Sequence, residues 1–317
     1  MIDVIIPCYN CHATLARSLS SIAMQTVIKD VTVTLVNDCS ESDYHEFVEA
    51  FSKIINIQEI EMEKNGGPGA ARQAGLNETE GDFVVFVDAD DTLATAFALE
   101  QMADAMIKHN MDVVSGQFQE EMQNGKFVTH GEQMVWVFGK MYRRSFLDRF
   151  LIRFNDTRAN EDSGFNAVVS ALTDRIMHIP QTVYMWHWST NTITRSNNCE
   201  YTYAHGHRGY IDNMIWAAHE LEKRALNKEI IRNFVVTVMC RLYFMHESVK
   251  YSAPSEAEAS MALIRKFHKE CYAPIDEYIP APYLHDVYGK EQKRAISSAD
   301  YIPQVTFRDF LKEAKGE

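Results

Sequence analysis

Apolar residues first fall into short runs, and helical stripes lie between the runs. Ile2-Asp3-Val4-Ile5-Ile6 is a strand-like run stopped by Pro7, and Leu15, Leu19, Ile22 and Ala23 then recur at helical spacing. Val31 to Val36 is β-branched and strand-like, followed by a helical stripe at Tyr44, Phe47, Val48 and Phe51. Ile54 to Ile60 predicts a third strand, Gly69 to Leu76 a short Ala-rich helix, and Asp82 to Val87 a buried strand. A helix is expected from Thr95 to His109 and a strand from Asp112 to Phe118. Strands alternating with helices imply βαβ units and a mostly parallel sheet flanked by helices.

The pattern changes after Gln119. Lys126 to Phe138 reads as short strands with a turn, residues 145–171 as mixed with a helical stripe at Phe165, Val168, Val169 and Leu172, and Ile176 to Trp188 as strand. From about Glu200 the chain turns helical, which places a soft boundary near residue 198. The expected organisation is therefore 1–198 as an α/β domain, split into 1–118 and 119–198, and 199–317 as a helical C-terminal region.

In such sheets ligands bind beyond the carboxyl ends of the strands. The unusual polar residues fall there: Asn10, Asn37-Asp38, Asn65-Gly66-Gly67, and Asp88-Ala89-Asp90-Asp91. Three carboxylates within four residues repel one another unless a cation or proton offsets them. Hard carboxylate oxygens favour Mg²⁺ or Mn²⁺. The plainer alternative is a solvated turn in which Asp91-Thr92 caps the next helix. The glycine-rich turn before Arg72 exposes backbone N–H groups, and Arg72 is placed to meet an anion.

Charge sharpens this picture. The 317 residues carry a formal net charge of −13. Residues 1–110 hold 6 Lys+Arg and 18 Asp+Glu, which disfavours a nucleic-acid backbone as their partner. Six dispersed cysteines do not read as a disulfide framework. Cys8 and Cys11 form a C-x-x-C, with zinc and redox chemistry as the alternatives to a place in the loop after the first strand. No run reaches the length of a membrane helix; the apolar stretch from Phe234 to Met245 is interrupted by Arg241. The N-terminus lacks the basic region of a signal peptide, so a cytoplasmic protein is expected. Lys140 to Arg158 holds six basic residues, either a solvated face or one turned to an anionic acceptor or membrane surface.

Ile5-Ile6-Pro7-Cys8-Tyr9-Asn10, Val36-Asn37-Asp38-Cys39-Ser40, Asn65 to Arg72, Asp88 to Asp91, Phe138 to Arg144 and Asn160-Glu161-Asp162 follow one another in that order. Together they resemble the family 2 glycosyltransferases of GT-A (Rossmann-like) fold, over roughly residues 1–195. The resemblance implies an inverting transfer from a nucleotide-sugar, usually a UDP-sugar, assisted by Mn²⁺ or Mg²⁺. On that basis Pro7, Tyr9 and Asn10 would line the nucleotide site with Gly67 and Arg72, and Asp38 would bind the uracil or its ribose. Asp88 would face ribose and sugar, Asp90 would ligate the metal, and Asp91 would position the metal's waters or the donor sugar. Asp162 would be the general base, its pKa raised by Glu161. His187, between Trp186 and Trp188, is a second candidate metal ligand, or else a half-buried histidine packed between two tryptophans. Arg195 is a candidate for the diphosphate. Gln73 stands where the family usually has Asn. His205 and His207 read as surface residues. The acceptor stays open between a glycan, a wall polymer, a protein and a modified nucleic acid. Rival readings are a nucleotidyltransferase, which would want a basic residue in residues 7–14, and a non-catalytic glycosyltransferase-like binding module.

Overall fold

A computed structural model describes residues 1–189, 203–224, 227–296 and 303–316. The chain divides into two compact units, Met1–Thr192 and Ile193–Glu317. The boundary expected near 198, and the candidates Arg195, His205 and His207, lie outside the described residues or have side chains outside them.

Unit 1 is built on one sheet with strands β1 (Ile2–Cys8), β2 (Val31–Asn37), β3 (Asn56–Glu61), β4 (Phe83–Phe86), β5 (Thr92–Leu93), β6 (Val113–Glu121), β7 (Phe127–His130), β8 (Lys140–Arg143) and β9 (Ile176–Trp186). Their order is β3-β2-β1-β4-β8-β6-β9-β5, with β7 added on β6. The parallel pairing predicted from the βαβ pattern holds through β3-β2-β1-β4. Beyond β4 the sheet becomes mixed, because β8 enters antiparallel between β4 and β6, while β6 and β9 run parallel.

Helices α1 (His12–Ala23), α2 (His45–Phe51), α3 (Pro68–Asn77), α4 (Ala98–Lys108), α5 (Arg144–Arg149) and α6 (Glu161–Leu172) complete the unit. Alternate residues of β1 and β2 (Val4, Ile6, Val33, Leu35) join Leu15, Leu19 and Ile22 of α1 and Leu99, Met102 and Met106 of α4 in one buried core. Pro7 fits inside a central strand for a local reason. The Cys8 carbonyl accepts from the N–H of Asp38, just after β2, at 2.8 Å, so Pro7 turns its nitrogen toward β4, whose pairing has already ended at Ile5 and Phe86.

Three local expectations are corrected. Lys126 to Phe138 contributes only β7, and the next strand is the basic β8. Asp91 and Thr92 do not cap a helix: Thr92 opens β5, and α4 starts at Ala98. A further short helix, α5, lies in the segment read as mixed.

Unit 2 is helical among its described residues: α7 (Tyr203–Lys223), α8 (Lys228–Ser252), α9 (Ala257–Phe267), α10 (Ala281–Ile296) and α11 (Phe307–Lys315). Arg241, which breaks the apolar run of α8, pairs with Glu291 of α10 at 2.9 Å. No described helix is long and apolar enough to cross a membrane.

Candidate active site

The ends of β1 and β2 are stitched together. Asn10 adopts φ 49°, and its side-chain oxygen accepts from Glu41 N–H at 2.9 Å while its own N–H reaches Ser40 Oγ at 3.1 Å. Tyr44 hydroxyl holds Ser40 Oγ and the Cys11 N–H from the other side. This leaves Tyr9 projecting from the strand end, 57% exposed. Asp38 is buried, and its carboxylate accepts from Gly66 N–H at 2.6 Å and Gly67 N–H at 2.8 Å. Expected to meet uracil or ribose, this carboxylate is bonded instead to the glycine turn. Gly67 has φ 83°, which glycine adopts without strain, and it precedes α3.

The turn Asp88 to Asp91 follows β4, closed by Asp91 N–H to Asp88 O at 3.0 Å. Asp88 and Asp90 are half-buried there. Asp91 is buried, with Tyr184 hydroxyl donating to Oδ2 and His187 N–H to Oδ1, each at 2.8 Å. Burial, then Asp90 and Asp88, push its carboxyl above the usual range. Asp91, expected to position the metal's waters or the donor sugar, thus ties β9 to the end of β4. The His187 ring bonds Glu121 Oε2 through Nδ1 at 3.1 Å and Thr92 Oγ1 through Nε2 at 2.9 Å. Burial lowers its pKa, against the pull of Glu121. With both ring nitrogens bonded, His187 would have to give up one contact to ligate a metal. Among the described residues no three His, Cys, Asp or Glu side chains gather into a metal cage.

Arg72 joins this turn to the second candidate cluster. Its guanidinium donates to Asp88 Oδ1 and to Glu161 Oε1, both at 2.7 Å, and all three side chains are partly or fully buried. Burial opposes the Arg72 charge, and Asp88 and Glu161 more than offset it. Arg72 was expected to meet the donor; the structure gives two of its donors to carboxylates of the protein. A close approach makes the link possible, since a Cβ on Gly69 would lie 2.6 Å from Glu161 Cγ. Glu161 and Asp162 open α6. The Asp162 carboxylate accepts from Ser163 N–H at 2.7 Å. Burial first, then Glu161, pushes its pKa up to about 7, against the pull of Arg72.

A model described as glycosyl transferase family 2 matches residues 3–165, just over half of the chain. The chain belongs to this family. The uncharacterized glycosyltransferase EpsJ of Bacillus subtilis is 23% identical over 61% of this chain and 63% of its own length. The poly(ribitol-phosphate) β-N-acetylglucosaminyltransferase TarS of Staphylococcus aureus is 35% identical over 35% of this chain and 20% of its own length. The chain therefore spans less than two thirds of these relatives. A crystal structure of TarS residues 1–349 with UDP-GlcNAc superposes with a TM-score of 0.71, covering 95% of this chain and 93% of that one at 21% identity. The GT-A fold expected from the motifs is thus shown. A mannosyltransferase of Pyrobaculum calidifontis, solved with GDP-Man and Mn²⁺, has a TM-score of 0.54 at 15% identity, covering 99% of this chain and 85% of that one.

Within this family member, several residues that shape the site carried no sequence motif. Tyr184, Glu121 and Asn166 act as hydrogen-bond partners; the strand of Tyr184 and the helical stripe around Asn166 were readable, whereas the strand expected to end at Phe118 runs on to Glu121. The basic stretch is divided rather than displayed on one face. Lys140 is fully buried, and Arg143 and Arg144 bond the carbonyls of Met106, Met111 and Leu76, whereas Arg149, Arg153 and Arg158 are exposed.

Proposed function

We propose that the chain transfers a sugar, with inversion, from a nucleotide-sugar to an acceptor hydroxyl, and that the donor is a UDP-sugar. The observation that carries this reading is the Asp88–Arg72–Glu161 bridge. It fixes a carboxylate turn at the end of a central parallel strand against the helix start that bears Asp162. One side of the bridge suits a donor diphosphate, and the other suits an attacking hydroxyl. The UDP-GlcNAc in the TarS complex supports the choice of donor class.

The nucleotide is received at the ends of β1 and β2. Exposed Tyr9 offers a stacking face for the base. Asp38 acts indirectly, holding the Gly66-Gly67 turn so that the start of α3 is presented to the donor. The donor chemistry of the turn fits a hard divalent cation: Mg²⁺ and Mn²⁺ keep several waters and need only one or two protein carboxylates, so Asp90 suffices without a closed cage. When bound, such a cation offsets the charge of the departing diphosphate. Asp88 is oriented by Arg72, and Asp91 anchors the turn through Tyr184 and His187. Asp162 removes the proton from the acceptor hydroxyl as it attacks the anomeric carbon from the face opposite the diphosphate. A carboxylate with a pKa near 7 is matched to that task at neutral pH. TarS, by its name, acts on poly(ribitol-phosphate), which makes an anionic wall polymer the first acceptor to test.

The test is a donor screen. UDP-GlcNAc, UDP-Glc, UDP-Gal and GDP-Man are each incubated with the protein and poly(ribitol-phosphate), with Mn²⁺ or with excess EDTA. Release of UDP, dependent on Mn²⁺, is expected from at least one UDP-sugar. Turnover of GDP-Man alone would overturn the donor assignment, and full turnover in EDTA the metal assignment.

A further inference from the structure

Two half-buried tryptophans edge an otherwise buried aromatic layer in unit 1. At one end of the layer Tyr184 hydroxyl donates to Asp91 Oδ2 and accepts from Asp88 N–H at 3.1 Å, so the layer begins at the carboxylate turn. Phe138 stacks on Tyr184 with ring centroids 4.6 Å apart, and Trp136 continues the stack on Phe138 at 5.7 Å. Trp186 packs tilted against both Trp136 and Phe138. Tyr184, Phe138 and Phe118, which meets Trp136 edge-on, are buried, whereas Trp136 and Trp186 keep part of their surface open.

Trp136 is fixed by its backbone. Gln133 Oε1 accepts from Val135 N–H at 2.7 Å and from Trp136 N–H at 3.1 Å. The Trp136 carbonyl accepts from the fully buried Lys140 Nζ at 2.7 Å and from Asn166 Nδ2 at 3.0 Å. Asn166 lies on α6 one turn after Asp162. The layer therefore runs from the turn assigned to the donor diphosphate to the helix that bears the proposed base. Among the described residues no acceptor meets the indole N–H of Trp136.

We propose that Trp136 is a sugar-binding residue, its indole receiving a pyranose ring that lies between the carboxylate turn and the start of α6. A pyranose has a face of C–H bonds with slight positive polarity, and the indole face is electron-rich, so the two attract while apolar area leaves water. The unpaired indole N–H is then available to a sugar hydroxyl. A tryptophan that served packing alone would close its open surface and bond its N–H within the protein. Trp136 does neither, although hydrogen bonds hold its backbone on both sides. A platform fixed in this way loses little freedom when a ligand arrives. The proposal rests on reading the chain as a transferase that uses nucleotide-sugars, and it names the side chain that meets the sugar rather than the nucleotide. The donor sugar and a glycan acceptor both carry such a ring, and the experiment separates them.

The experiment follows the indole N–H signals of the ¹⁵N-labelled full chain, which has four tryptophans, the Trp136 signal being assigned by its loss in Trp136→Phe. UDP, then UDP-GlcNAc, UDP-Glc and UDP-Gal, and finally methyl β-D-glucopyranoside with UDP already bound, are titrated in the presence of Mn²⁺. A donor sugar on Trp136 moves its signal with a UDP-sugar and not with UDP. An acceptor ring moves it with the glucoside. Either result supports the proposal and says which substrate supplies the ring. No movement with any of these overturns it, as does the same movement with UDP as with every UDP-sugar, which would make Trp136 a reporter of the nucleotide. By calorimetry, Trp136→Leu should weaken the ligand that moved the signal by roughly three- to tenfold, the scale for one good aromatic contact, and leave UDP affinity unchanged. Trp136→Phe, which keeps a flat face, should recover most of that loss. Equal affinities in wild type and Trp136→Leu overturn the proposal, and if that variant does not fold, the indole titration of the wild type decides alone. If the wild type turns over no nucleotide-sugar while the glucoside still moves the Trp136 signal, the functional reading falls and the sugar-binding face stands.

Discussion

Asp91 and Asp162 are both carboxylates pushed above the ordinary range chiefly by burial, and both have carboxylate neighbours that add to the push. Their surroundings differ. Asp91 accepts from Tyr184 hydroxyl and His187 N–H, one on each oxygen, so its negative charge is matched by fixed donors. Asp162 accepts from the adjacent Ser163 N–H, and its electrostatic support comes from Arg72, whose described side-chain hydrogen bonds go to Asp88 and Glu161. The first arrangement suits a carboxylate that organises a turn. The second leaves an oxygen for a proton to arrive on, which is what a general base requires.

The largest expected effect lies on the Asp162 side. Asp162→Asn should lower sugar transfer by roughly 10²–10⁴ while leaving UDP binding, followed by calorimetry, within a few-fold of wild type. Wild-type turnover should fall as the pH drops through about 7, because the protonated carboxyl cannot accept the acceptor's proton. A rate that stays flat down to pH 5 would assign the base elsewhere, with Glu161 next in line although Arg72 already occupies it.

Breaking the bridge between the two clusters should cost nearly as much, in stability. Arg72→Met strands two carboxylates, Asp88 and Glu161, without their shared partner. Removing one member of a buried ionic network typically costs about 3–5 kcal/mol. Urea denaturation of the variant would show it, and a loss below about 1 kcal/mol would mean that solvent reaches the bridge. On the donor side, Asp90→Ala should reduce turnover by roughly 10², the scale for losing a principal charge-stabilising group. Unlike Asp162→Asn, it should also abolish the gain in UDP affinity that Mn²⁺ provides. Equal loss of metal-dependent UDP affinity in both variants would collapse the distinction between the clusters.

β1, β2 and β4 of the parallel half were legible because they are largely buried and read as mostly apolar or β-branched runs. β8 was not, since Lys140 and Arg143, with Arg144 directly after them, look like surface residues to any pattern that equates charge with exposure. Their cationic heads are instead bonded to carbonyls left by neighbouring loops and helix ends. β5 escaped because two residues carry no period. At the site, the residue types at strand ends were readable while their partners were not. Tyr184 reaches Asp91 across 93 positions and Glu121 reaches His187 across 66. The burial of Glu161 likewise depends on Gly69 admitting it, a contact across two elements that no local pattern encodes.

The smallest effect separates Asp91 from Asp162 most sharply, because one substitution should act in opposite directions. For Asp162, the folded pKa of about 7 stands above the unfolded value of 3.8. The folded state then binds the proton more tightly. The stability this provides is complete below the unfolded value and is lost as the pH rises through about 7. At pH 8 the ionised carboxylate is a net burden that Asp162→Asn removes, so the variant should melt higher than wild type there, by the equivalent of about 1 kcal/mol or more after allowance for solvent reaching a half-buried group. At pH 4 the two should melt alike. Asp91 is also raised, but an amide at that position must turn its NH₂ toward either the Tyr184 hydroxyl or the His187 N–H. One donor then loses its acceptor, at a cost of about 1–3 kcal/mol. Asp91→Asn should therefore melt lower than wild type at pH 8. Paired melts at pH 4 and pH 8 decide the matter. If both variants melt lower at pH 8, Asp162 is as firmly bonded in the fold as Asp91, and the contrast between an organising carboxylate and a proton-accepting one is lost.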